Sequence, residues 1–194
     1  MSAPKTDAVR IVRLAWLRLP PAHRSLLEAV GASQWQIVNG PIGSIADDML
    51  RSAGQPGLLP PARSRLDGAL GAWVPGLEVL LINIGHPAIA GLDTQAHEAF
   101  VAHIAWHEGG HALSLARCSP EDVAAGDKLL ALAPEGISEG IRGAGYGAKS
   151  YTHEVVAETY ALMMARRIRG HRDKPTWLDD EIYNLLKRVT GWVD

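Results

Sequence analysis

Residues 94 to 116, TQAHEAFVAHIAWHEGGHALSLA, constrain the fold more than any other stretch of the chain. Phe100, Val101, Ile104, Ala105, Ala112 and Leu115 recur at helical spacing, so one side of a helix over about 94–116 faces a core. Asp93 or Thr94 can cap its start, and Pro120 lies beyond its end. Inside this helix stand two adjacent glycines, Gly109 and Gly110, each costing about 1 kcal/mol relative to Ala. A structural helix asks for neither. Close approach of a strand, a substrate or a ligand accounts for them. His107 and His111 are four apart, lie one above the other on a helix face and can converge on one ion. Glu108 has helical spacing from the apolar stripe, where an unpaired carboxylate is costly and a nearby cation removes the cost. This is H-E-x-x-H, in which two imidazoles bind zinc and the glutamate activates water. The plain alternative is a solvated helix face.

A catalytic zinc usually takes three protein ligands and leaves a fourth position for water. The segment SYTHEVVAETYALMMARRIRG, 150–170, reads as a second long helix with Ser150 as N-cap, arginines at its C-terminal end and Gly170 as its stop. On it, Glu154 and Glu158 are four apart and share a face. Glu154 is the candidate third ligand. Glu158, one turn on, can accept from the distal nitrogen of a ligating histidine and so fix its ring.

The rest of the chain sets the frame. It has 194 residues with 47% apolar and 21% charged residues, which excludes fibrous and disordered classes and fits one compact domain. We divide it into an N-terminal helical and loop segment, 1–68, packing on a core of 69–194. PPAHRSLLEAVG reads as a short helix ended by Gly31, and SIADDMLRSAG as another with Ser44 as N-cap and Gly54 as stop. The Pro/Gly-rich stretch 55–68 reads as an exposed loop and a candidate hinge. GAWVPGLEVLLIN reads as a hairpin with a Pro-Gly turn, its second strand buried. Residues 119–150 read as mostly loop with short helical pieces, the latter part pliable where Gly136 to Gly147 cluster, and about 176–189 as a last amphipathic helix with Leu178, Ile182, Leu185 and Val189 as its stripe. Arg10, Arg13 and Arg18 interrupt the apolar stretch VRIVRLAWLRLP before a signal-peptide core forms, and no run reaches the roughly 20 apolar residues that cross a bilayer. A single cysteine, Cys118, excludes an internal disulfide. A soluble, cytoplasmic protein without a membrane partner is expected. The first 65 residues carry eight Lys/Arg against four Asp/Glu, which we read as scattered solvated charge and not as a nucleic-acid surface.

A strand, then WHEGGHAL on a helix, then E-x-x-A-E on a second helix resembles the gluzincin branch of the zincin metallopeptidases. Over roughly residues 70 to 170, the order and spacing are similar to the ImmA/IrrE-type minimal gluzincins. The E-x-x-A-E element also resembles the E-x-x-A-D of CAAX-type proteases, without their membrane helices. The metzincin branch fits poorly, because Ser114 and Arg117 stand where it has Gly and His. Two departures from the resembled families stand out: Gly109 replaces a common aliphatic residue, and 42 residues separate His111 from Glu154. The resemblance implies an α+β, zincin-like fold in which a small antiparallel or mixed sheet packs on an active-site helix. It also implies Zn²⁺ held by His107, His111 and Glu154, with Glu158 in support.

The expected activity is hydrolysis of a protein or peptide substrate, Glu108 acting as general base on zinc-activated water. His103, one turn before His107, is a supporting or pocket histidine. Tyr146, Tyr151 and His153 are candidate donors to the oxyanion. Substrate is expected to add to the edge of the strand 79–83, and the Gly-rich stretch 136–147 to act as a lid. The rival readings are a non-catalytic, zinc-stabilised binding or regulatory module, and a degenerate zincin without metal.

Overall fold

All five residues of Val79–Asn83 are buried, and the sheet is built around them. In the computed structural model, which describes residues 5–90 and 92–193, the chain opens with helices α1 (Lys5–Leu17) and α2 (Pro21–Ala29). Strand β1 (Gln34–Val38), helices α3 (Ile42–Ser52) and α4 (Pro60–Asp67), and strands β2 (Gly71–Val74) and β3 (Val79–Asn83) follow. Then come the short α5 (Pro87–Ala90), the 24-residue α6 (Thr94–Arg117), α7 (Pro120–Ala124), α8 (Gly126–Leu132), α9 (Glu135–Gly143), α10 (Ala148–Ile168) and α11 (Asp180–Thr190). The class is α+β, mostly helical, with one three-stranded mixed sheet. No helix among the described residues is long and apolar enough to cross a membrane.

The strand order is β1-β3-β2. Residues 79–83 therefore run between parallel β1 and antiparallel β2, with both sides hydrogen-bonded. This corrects the expectation that a substrate adds to their edge, since the edge strands are β1 and β2. The hairpin reading of β2 and β3 holds, with a 3-10 turn at Pro75–Leu77 between them. Neither β1 nor α1 was assigned from sequence. QWQIV is a five-residue strand with no charge pattern of its own, fixed by pairing with β3. The arginines of α1 lie among residues that bury Ile11, Val12 and Ala15.

Other boundaries move for local reasons. Within the expected loop 55–68, Pro60 and Pro61 occupy the first turn of α4, where no backbone N–H is needed. The 119–150 segment is largely helical: α7 is held by a capping box between Ser119 and Asp122, and α9 spans the glycine-rich part by burying Ile137, Ser138 and Ile141. Ser44 is not an N-cap, because α3 begins at Ile42; its N–H donates instead to Asp67 at 2.8 Å. Likewise Ser150 lies inside α10, whose cap position is Gly147. The last helix begins at Asp180, capped by Asp179, and not at about 176. Leu115, expected in the core stripe, is 55% exposed. Asp93 does cap α6, accepting from the Ala96 N–H at 2.8 Å. Gly31 and Gly54 adopt positive φ just past α2 and α3, as expected of helix stops.

One buried polar cluster links the first helices to the last. His23 is fully buried, with Nδ1 3.1 Å from the Tyr160 hydroxyl and its ring 5.4 Å from that of Trp192. Burial foremost, and then the Arg167 charge, push His23 from its ordinary 6.5 down to about 4, opposed by the ring's interaction with the Gly191 backbone carbonyl. Between those values the unfolded chain binds a proton that the folded chain refuses, so stability falls as pH drops from about 6.5 to about 4. The full swing is of order 3 kcal/mol. Urea melts should show wild type losing stability relative to His23→Gln as pH falls across this range; a constant difference between the two would remove His23 as the cause.

Candidate metal centre

Helices α6 and α10 meet where Gly110 faces Ala157. A Cβ on Gly110 would lie 2.7 Å from the Ala157 Cα, so only glycine lets the two backbones approach this closely. Gly109 is different. A Cβ there would meet Leu27 and Trp35 at 3.8 Å, an ordinary contact, so close approach explains the second glycine and not the first.

This contact sets the histidines of α6 opposite the carboxylates of α10. His107 Nε2 is 3.0 Å from His111 Nε2, and Glu154 Oε2 lies 3.7 Å from the former and 3.5 Å from the latter. Three ligand atoms from His107, His111 and Glu154 thus lie within 4.8 Å of one another, an arrangement compatible with a metal ion. Glu154 is 6% exposed. Glu158 sits behind His107 and accepts from its Nδ1–H at 3.1 Å. With the proton on Nδ1, Nε2 presents its lone pair to the space it shares with His111 and Glu154. The same Glu158 oxygen also accepts from His103 Nε2 at 3.2 Å. Burial raises the Glu158 pKa, but the bonds and charges of His103 and His107 outweigh it and hold the carboxyl well below the usual range.

Glu108 is buried on the neighbouring side of α6, and its Oε2 accepts from the Trp73 backbone N–H of β2 at 3.2 Å. Desolvation, reinforced by the Glu154 charge and opposed by His107 and the Trp73 N–H, pushes it up to about 7. A Cβ on Gly71 would fall 2.6 Å from the Glu108 Cγ, so the glycine that opens β2 makes room for this side chain. Sequence reasoning missed both Gly71 and the Trp73 N–H. The glycine heading a strand in GAWV was the available signal.

The remaining candidates separate. Tyr146 is 43% exposed and lines one cavity with Glu154, and burial with the Glu154 and Glu108 charges pushes it up to about 12. His153 Nδ1 is 2.9 Å from Ser114 Oγ; burial, then the His111 charge, lower its pKa, with Glu154 opposing. Tyr151 packs on the core and against Gly126. Burial pushes the Cys118 thiol up to about 11, where it stays protonated. Gly136 and Gly140 of α9, with Tyr146, His107, Glu154 and Glu158, line a cavity of about 260 Å³ over the cluster. No protein-family model, curated protein or solved structure matches the chain.

Proposed function

We propose that the chain is a zinc-dependent peptidase of zincin-like, gluzincin-type architecture. The observation that carries this reading is the convergence of His107 Nε2, His111 Nε2 and one Glu154 oxygen, with the His107 proton turned away onto Glu158. Two imidazoles and a carboxylate suit Zn²⁺. Three protein ligands are the number a catalytic zinc would take, and His107 and Glu154 also line the cavity.

Zn²⁺ held there supplies Lewis acidity toward a scissile carbonyl and acidifies water at neutral pH. Every other role falls to the protein. Glu108 takes the proton of the attacking water and delivers it to the leaving amine. Its burial raises the pKa and a cation beside it lowers it, which keeps the carboxyl near the value a general base needs. Trp73 N–H and Gly71 fix where that carboxylate stands. Glu158 orients the His107 ring. Of the three oxyanion candidates, Tyr146 is the one that lines the cavity with His107 and Glu154. A peptide meets the cluster in the cavity that His107, Glu154, Glu158 and α9 line.

Zinc titration into metal-free protein, run against a chelator of known affinity, tests this directly. One tight ion per chain is expected, its binding lost in His111→Ala, together with zinc-dependent cleavage of a mixed peptide library read by mass spectrometry. Zinc held no tighter than millimolar would remove the reading. Gly71→Ala gives a finer check: displacing Glu108 should leave zinc content unchanged and lower turnover about 100-fold. Unaltered turnover would show that the strand glycine does not position the base.

A further inference from the structure

A second set of donors shares His107. His103 Nε2, His107 Nδ1 and one Glu158 oxygen also lie within 4.8 Å of one another. The His103 and His107 rings stack with centroids 6.3 Å apart and planes inclined by 27°, so both turn a nitrogen to the same carboxylate oxygen. This set is the more open of the two: the His103 and Glu158 side chains are 25% and 27% exposed, against 7% for Glu154. Glu158 also lines the cavity over the inner cluster, so a hydrated ion reaches it from the same side as a substrate.

Orienting the His107 ring requires only the bond from Nδ1–H to Glu158. A second imidazole one turn earlier on α6, aimed at the same oxygen, adds donor chemistry that orientation does not need. One imidazole nitrogen and a carboxylate are a borderline-soft pair that favours Zn²⁺ over Mg²⁺ or Ca²⁺.

We propose that His103 and Glu158 form a second, weaker divalent-cation site beside the inner cluster. The ion takes the His103 Nε2 lone pair after that ring moves its proton to Nδ1 through solvent, so no net proton is released. His107 keeps its Nδ1 proton and is not a ligand while its other nitrogen serves the inner cluster. Two protein ligands and water complete the shell, which makes the site weak.

Equilibrium dialysis against rising Zn²⁺, with wild type, His103→Asn, His103→Phe and His111→Ala checked for folding by circular dichroism, tests it. Wild type should approach two ions per chain, the second bound at least tenfold more weakly. Both His103 variants should stop at one tight ion, and His111→Ala should keep only the weak one. Saturation of wild type at one tight ion, or two ions retained in both His103 variants, overturns the outer site. A single weak ion in wild type that both His103 variants lose would support the outer site and sink the inner one.

Discussion

Glu108→Gln is expected to bind zinc as the wild type does and to lower turnover by about 10² to 10⁴. The amide has the same shape, still accepts from the Trp73 N–H and still fits the room that Gly71 leaves, so the geometry is preserved. What it cannot do is take a proton from water. A second readout separates loss of chemistry from loss of structure. In metal-free protein the folded Glu108 titrates at about 7 because it is buried, against an ordinary 4.5, so across that window the folded state holds a proton that the unfolded chain releases. His23 acts in the opposite direction over an overlapping range, so the readout is a difference: metal-free wild type should lose stability relative to Glu108→Gln as pH rises from 4.5 to about 7. Full turnover in the variant, with zinc retained, would leave a zinc-stabilised binding module as the better account of the same geometry.

Gly110→Val should cost about 3 kcal/mol and weaken zinc at least 100-fold, while its neighbour's substitution Gly109→Ala should stabilise by up to about 1 kcal/mol. The opposite signs follow from where each added carbon would go. At 110 it meets the backbone of Ala157, which has no rotamer to yield, so the helices must part and carry His107 and His111 away from Glu154. At 109 it meets the ends of Leu27 and Trp35 at ordinary distance, and the helix gains an alanine. Urea melts with zinc titrations on both variants measure this. Equal effects would mean that the α6–α10 contact does not set the spacing of the donors.

The helix carrying the histidines, its Asp93 cap, the β2–β3 hairpin and the stripe of α11 were legible because each is a local pattern: period, cap and turn act within a few residues. Strand β1 was not, since a short uncharged segment becomes a strand only when β3 is beside it. The extent of helix α9 was not legible for the converse reason: its glycines weaken local propensity, and burial of Ile137 and Ile141 overrides it.

By itself the sequence determined which donors exist and that His107 and His111 share a face, because the 3.6-residue period of a helix fixes neighbours four apart. Only the tertiary structure decided that Glu154 joins them, that Gly110 and not Gly109 permits it, that Glu108 leans on Trp73, and that the edge beside the site belongs to β2. Each of these depends on two segments distant in the chain packing at one spacing, and that spacing is set by the atoms that meet there.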